Sequence, residues 1–387
     1  MTAVRIAMVA GEASGDLLAS HLIAALRARL PDAVFYGIGG PKMEAQGFDA
    51  WYPLEKLAVL GYVDALRHYP EIAGIRSELR RRLLADDGHR PDVFIGVDAP
   101  DFNLGLEQAL KERGITTVHY VSPSIWAWRG ERIRKIAAAV NRVLALFPFE
   151  PALYEARQIP VSYVGHPLAD VLPVEDGRVG ARELLEIPAM QPVFALLPGS
   201  RQSELQYMAD IFIRTARRIA EKLPDALFLV PLATRETRLM FEQAIYRCEA
   251  HDLPLRLLFG HAHDAMAAAD VVLVASGTAT LEAALLKRPM AIAYRMSPLS
   301  YRLMKGRGYL PYVGLPNVLA GRFVVPEFIQ DDATPENLAQ ALLNLFADRE
   351  TAARIGEVFR GIHLQLRQNT AEKAAQAIID CLPATHG

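Results

Sequence analysis

The sequence predicts an α/β protein with two doubly wound domains, each a parallel sheet covered by helices. Three observations carry this. Short, β-branched apolar runs alternate with helical patterns along the chain. The runs are apolar almost throughout, as strands buried on both faces must be. They also fall into two successive sets in a chain of 387 residues, which is long for a single core.

The first set is Ile6–Ala10, Val34–Ile38, Val93–Val97, Thr117–Val121, Val143–Phe147 and Val161–Val164. The second is Val193–Leu197, Ala226–Val230, Leu255–Phe259, Val271–Ala275 and Met290–Ala293. Between them, Leu168 to Gly177 reads as the joint. Thr334-Pro335-Glu336 reads as a helix start, with Thr334 as N-cap and Pro335 in the first turn. The expected divisions are a first domain over 1–170, a linker over 171–187, a second domain over 188–345 and closing helices over 346–387.

Composition narrows the function. Hydrophobic residues make up 51% and charged residues 22%, ordinary for a soluble globular protein. A net charge of −2 gives no electrostatic case for nucleic acid. Cys248 and Cys381 form no redox or metal spacing and suit a reducing compartment. Arg5 to Ala10 is too short for a signal segment, and no apolar run nears the roughly 18 residues of a spanning helix. A cytosolic or peripheral protein is expected. Asp86-Asp87 and Asp331-Asp332 read as solvated turns, the histidines show no metal spacing, and no G-x-S-x-G elbow occurs. No metal and no cofactor are expected.

Four strand-loop-helix junctions carry chemistry. In "VLVASGTATLEAAL" a bare loop precedes a helix. Helix amides, the openness of Gly277 and the hydroxyls of Ser276, Thr278 and Thr280 suit a phosphate. Glu282 is placed to accept from a ribose diol, or to favour the helix dipole as an ordinary first-turn acid. In "LLPGSRQSE" Gly199 and Ser200 make the turn. Arg201 sits where the helix dipole disfavours a cation, which makes sense if it grips an anion. In "VAGEASGDLLASHL" the acids Glu12 and Asp16, with Ser14, suit sugar hydroxyls better than phosphate. In "IGVDAPDFN" Asp98 follows its strand directly and faces the crevice at the carboxyl ends of a sheet. A turn residue before Pro100 is the other reading of Asp98. Asp101 reads as a helix N-cap.

Together with "SPSIWAWR" (Ser122 to Arg129) and "GLPNVLAG" (Gly314 to Gly321), these motifs occur in the order seen in lipid A disaccharide synthases. The resemblance covers nearly the whole chain. It implies a GT-B glycosyltransferase: two Rossmann-like domains facing across a cleft, with a C-terminal segment packing back on the first. It implies inverting, metal-free transfer of 2,3-diacylglucosamine from UDP to the 6-hydroxyl of 2,3-diacylglucosamine 1-phosphate. It places UDP at Ser200, Arg201, Ser276, Gly277, Thr278 and Glu282, with Asn317 nearby, and makes Asp98 the base on the acceptor side. It also implies peripheral attachment to the cytoplasmic face of the inner membrane and, in some members, a homodimer with exchanged C-terminal segments. Leu57 to Leu84 mixes apolar residues with Arg67, Arg76, Arg80, Arg81 and Arg82 and is the expected membrane-facing segment. Two other readings stay open at this point: a UDP-N-acetylglucosamine 2-epimerase-like isomerase, and a non-catalytic UDP-sugar-binding membrane module.

Overall fold

A computed structural model describes residues 3–57, 62–85, 88–127, 130–298, 301–302, 306 and 309–382, with no side-chain description for 62–69. The chain divides into two compact units, one of Met1–Asp170 with Leu366–Gly387, the other of Val171–Gln365.

The first unit begins with β1 (Arg5–Ala10), α1 (Ala13–Arg29), β2 (Val34–Gly39), α2 (Pro41–Glu44) and β3 (Asp49–Pro53). It continues with α3 (Tyr62–Leu83), β4 (Val93–Val97), α4 (Pro100–Lys111), β5 (Thr116–Tyr120) and α5 (Ile133–Ala139). β6 (Arg142–Ala145), α6 (Glu150–Glu155), β7 (Val161–Tyr163) and α7 (Pro167–Val171) complete this run. The sheet is parallel with the order β3-β2-β1-β4-β5-β6-β7. β1 shows why its run is apolar throughout. Ile6, Met8 and Ala10 pack into one cluster with the inner face of α1, while Ala7 and Val9 pack into another with Leu79, Leu83, Phe102 and Leu106.

The second unit holds α8 (Arg178–Leu184), β8 (Val193–Leu197), α9 (Gln202–Ala220), β9 (Leu227–Leu232), α10 (Arg235–Arg247) and β10 (Leu255–Phe259). Next come α11 (Ala262–Ala268), β11 (Val271–Ala275), α12 (Thr278–Leu285), β12 (Met290–Tyr294), α13 (Leu315–Ala320) and β13 (Glu327–Ile329). α14 (Pro335–Ala347) and α15 (Arg349–Leu366) follow. Its sheet, also parallel, runs β10-β9-β8-β11-β12-β13. Thr334 does cap α14, accepting from the Asn337 amide at 3.2 Å.

The chain then returns to the first unit. α16 (Thr370–Ile379) packs against α1, and Ala374, Ala375 and Ile378 join the first unit's core. Asp170 starts that helix by accepting from the amides of Asn369 (2.9 Å) and Thr370 (2.7 Å). The return begins at Leu366 rather than 346, because α15 belongs to the second unit. The stretch 171–187 likewise belongs to the second unit. It contains α8, whose Arg182 is 4% exposed and bonded to Asp270 and to the carbonyls of Ala268, Pro188, Ala189 and Gln191.

In each sheet the strand order reverses at one place, between β1 and β4 in the first and between β8 and β11 in the second. In open α/β sheets ligands bind outside the carboxyl ends of strands at such a switch point. The four loops picked out from sequence follow these four strands.

Candidate active site

In the first unit, the turns after β1 and β4 touch: a Cβ built at Gly11 would lie 3.2 Å from that of Ala99. Asp98 is half-buried and has a left-handed backbone (φ 51°), as does Ala99 (φ 44°), which caps α4. Asp101 is therefore not the N-cap; it lies in the first turn of α4 and pairs with Arg132 at 2.5 Å. Glu12 precedes α1 in extended conformation (φ −144°) without capping it, and both Glu12 and Ser14 are exposed.

Asp16 does not sit beside them. It is 2% exposed, and its carboxylate accepts from the amides of Gly40 (3.0 Å), Lys42 (3.1 Å) and Met43 (3.1 Å). It closes the start of α2 from α1, so its oxygens are occupied by backbone rather than available to a sugar. No local pattern signals this, because the partners lie at the start of another helix.

The loop after β5 carries "SPSIWAWR", of which 128–129 lie outside the described residues. Ser122 and the Tyr154 hydroxyl are 2.7 Å apart, and Trp126 packs edge-on against Phe149 at 5.3 Å between centroids. Beneath it, Glu150 is 1% exposed and accepts from the Phe147 amide at 2.9 Å. Burial pushes its carboxyl up to about 7.

In the second unit, the loop after β11 is open. The Ser276 amide donates to Ala293 (3.1 Å), while the Thr280 amide and hydroxyl both go to the Gly277 carbonyl (3.2 and 2.7 Å). Thr280 is thus a structural hydroxyl and not a ligand donor. Among the described residues, none accepts from the amides of Gly277, Thr278 or Ala279. Gly277 and Thr278 are exposed, and a Cβ at Gly277 would meet nothing within 4 Å. Glu282 sits one turn further on and accepts from His263 Nε2 at 3.0 Å. That bond raises the His263 imidazole against the opposing effect of burial. His263 comes from α11, 19 residues earlier, and was missed in the sequence.

The loop after β8 is different. Gly199 (φ 129°) lets Glu204 fold back, and a Cβ there would lie 2.5 Å from Glu204 Cβ. Glu204 Oε2 then accepts from the amides of Ser200 (2.9 Å) and Arg201 (3.2 Å). The helix dipole that a cation at Arg201 seemed to oppose is met by this acid. The anion expected there from the misfit is supplied within the chain, and what remains for a ligand is the exposed Arg201 and Ser200 side chains. Tyr294, at the end of β12, lies within the field of both Glu204 and Arg201, and burial above all raises its hydroxyl.

Asn317 is fully buried and used up. Its Nδ2 donates to Val325 O (2.9 Å) and Glu327 Oε1 (2.8 Å), and its Oδ1 accepts from Val324 and Val325 amides. It staples the loop 313–327 rather than facing a ligand directly. Among the described residues no group of three His, Cys, Asp or Glu side chains could hold a metal ion.

The basic segment on α3 is largely engaged within its unit. Arg67 lies outside the described side chains. Arg76 reaches the Asp101 carbonyl at 3.5 Å, Arg81 pairs with Glu78 at 2.6 Å, and Arg82 stacks 3.9 Å over the Trp51 ring. Leu79 and Leu83 are in the core, with Ile72, Ile75 and Leu84 packed against it. From Ile72 onward the apolar residues of the expected membrane segment therefore serve the interior, and Arg80 is left as an exposed cation.

Comparison with known proteins decides the family. Residues 6–380 match the family described as Lipid-A-disaccharide synthetase. The chain belongs to the lipid-A-disaccharide synthase family. A relative of that name from Dechloromonas aromatica (strain RCB) is 69% identical over 382 residues, covering 98% of this chain and 99% of the other. Another from Aromatoleum aromaticum (strain DSM 19018 / LMG 30748 / EbN1) is 62% identical over 380 residues, covering 98% and 96%. Among solved structures, the glycotransferase of kitacinnamycin aligns with a TM-score of 0.67 at 17% identity, covering 99% of this chain and 100% of that one. WaaG, a glycosyltransferase involved in lipopolysaccharide biosynthesis, aligns at 0.55 with 14% identity, covering 97% and 99%. These last two show the fold, which is GT-B. As a lipid-A-disaccharide synthase family member the chain is an inverting glycosyltransferase of lipid A biosynthesis. It transfers 2,3-diacylglucosamine from UDP to the 6-hydroxyl of 2,3-diacylglucosamine 1-phosphate, giving a β-1,6-linked tetraacyl disaccharide 1-phosphate and UDP. The isomerase and non-catalytic readings are not favoured by full-length matches of this kind.

Proposed function

We propose that the two units divide this reaction, with the acceptor hydroxyl activated on the first and the UDP of the donor held on the second. The observation that supports this most is the contrast between the two switch points. One carries a fixed acid, Asp98, flanked by the exposed Glu12 and Ser14. The other carries a bare loop with free amides at Gly277 and Thr278, next to the exposed Arg201 and Ser200.

In this reading the acceptor oxygen attacks the anomeric carbon as the bond from that carbon to the UDP oxygen breaks. Asp98 takes the hydroxyl proton as the new bond forms. The departing diphosphate is met by the amides at the start of α12 and by Arg201, which stabilise its growing charge. Glu282, its other oxygen turned to His263, accepts from the ribose. Glu12 and Ser14 hold acceptor hydroxyls. The lipid substrates come from the cytoplasmic face of the inner membrane, where the exposed Arg80 of α3 meets anionic headgroups. No helix among the described residues is long and apolar enough to cross a membrane.

Incubation of the chain with UDP-2,3-diacylglucosamine, with and without 2,3-diacylglucosamine 1-phosphate, tests the division. UDP release should require the acceptor. Equal release without it would mean that water, and not an acceptor hydroxyl activated on the first unit, is the attacking group.

A further inference from the structure

The acid proposed as the base stands on a turn its own backbone disfavours. What holds that turn is polar and buried. Asp98 and Ala99 are two consecutive non-glycine residues in left-handed conformation, a state that persists only where the surroundings over-determine it. The Asp98 amide donates to the Tyr120 carbonyl on β5 at 2.8 Å, and Asn103 Nδ2 donates to the Asp98 carbonyl at 2.8 Å.

Asn103 lies on the sheet-facing side of α4. One turn further along the same face is Glu107, whose Oε1 is 2.8 Å from His119 Nδ1 on β5. All three side chains are fully buried. β4 makes room for them. Gly96 pairs in register with His119, and a Cβ at Gly96 would lie 2.2 Å from Glu107 Oε1 and 2.9 Å from Asn103 Cβ. Asn103 Oδ1, Glu107 Oε2 and His119 Nε2 are buried without a partner among the described residues. A purely structural interior gains nothing from such a cluster, since apolar residues of similar volume commonly replace a buried ionic pair without loss.

We infer that Asn103, Glu107 and His119 are positioning residues for Asp98: Asn103 holds its turn, and the Glu107–His119 bond ties α4, which carries Asn103, to β5, whose Tyr120 carbonyl takes the Asp98 amide. The inference rests on Asp98 being the base. The charged groups acting on His119 are Glu107 from α4 and Asp98 from the end of β4, while the neighbouring strands present Gly96 and Val143 at its register. Burial alone would lower the imidazole, but the two acids outweigh it and raise it. The Glu107 carboxyl is raised by burial, against the opposing effect of His119. No bond is added to the reaction. The acceptor proton still goes to Asp98, whose position the clamp fixes.

The test measures kcat and both KM values of the full chain carrying Glu107→Gln. Turnover should fall about tenfold to a hundredfold, with the donor KM within about twofold. In an Asp98→Asn background, Glu107→Gln should cost nothing further. An effect that persists there, or an unchanged kcat, overturns the inference. If Glu107→Gln does not fold, Glu107→Met combined with His119→Phe restores an apolar interior. It should fold and remain slow; a folded, fast double variant is equally contradictory. A fully active Asp98→Asn would instead sink the base reading itself.

Discussion

The two switch points solve opposite problems with the same topology. After β4, the chain spends a strained turn, a sheet-to-turn hydrogen bond and an asparagine clamp on fixing one carboxylate. After β11, it leaves amides open and side chains small, so that nothing of its own occupies the space. A group that must take a proton needs a fixed position before the substrate arrives. A site that must hold a charged leaving group needs donors with no internal partner. The loop after β8 lies between these cases: its amides are already taken by Glu204, and only side chains remain.

The largest effect expected from this contrast is on turnover. Asp98→Asn should lower kcat by about 10²–10⁴-fold. Near-normal turnover, together with a large loss in Glu12→Gln, would move the base into the first loop.

Next comes pH. Glu150 under the β5 loop has its carboxyl raised from 4.5 to about 7 by burial. The folded state therefore favours the proton. Its contribution to stability is fully present below pH 4.5 and is lost as pH rises through about 7. Between pH 5 and pH 8, thermal stability should fall in the wild type by up to about 3 kcal/mol more than in Glu150→Gln. Parallel curves for the two proteins would show that the β5 loop does not rest on a buried neutral acid.

Arg201→Ala should weaken donor use by roughly tenfold to a hundredfold, the loss of one or two hydrogen bonds to a charged group. The folded fraction should be unchanged, since Glu204 and not Arg201 satisfies the loop. Unaltered donor KM in a folded variant would hand the diphosphate wholly to the α12 loop.

Asp16→Ala should act on stability alone. It leaves three amides at the start of α2 without their acceptor, which costs about 1–3 kcal/mol. Chemical denaturation should show that loss, with the acceptor KM unchanged; the reverse pattern would return Asp16 to the sugar site.

How much of this was legible follows from where the information sits. All eleven runs expected to be strands are strands; most are buried on both faces, which writes a continuous apolar signal, while the edge strands β7 and β10 are only partly buried and read from their β-branched and apolar residues. β3 and β13 were not seen. Their sequences are the reason: "DAWYP" opens on Asp49 and closes on Pro53, and "EFI" has only two apolar residues after Glu327, so neither carries that signal. The four loops were legible because they directly follow strands. The partners inside them were not. Asp16 caps a helix 24 to 27 residues away, Glu282 meets His263 from the preceding helix, and Asn317 is consumed by Val324, Val325 and Glu327. Side-chain pairing across elements depends on tertiary placement that local pattern does not encode. Glu204 is the exception: an acid at the third position of a helix is a readable cap, and it accounts for the cation before it.

The central claim is that chemistry and nucleotide binding reside in separate units, and equilibrium titration of UDP into folded Asp98→Asn and Arg201→Ala proteins tests it most directly. UDP affinity should be that of the wild type in the first, whose turnover is lost, and weakened about tenfold or more in the second. Loss of UDP affinity in Asp98→Asn, with retention in Arg201→Ala, would contradict it.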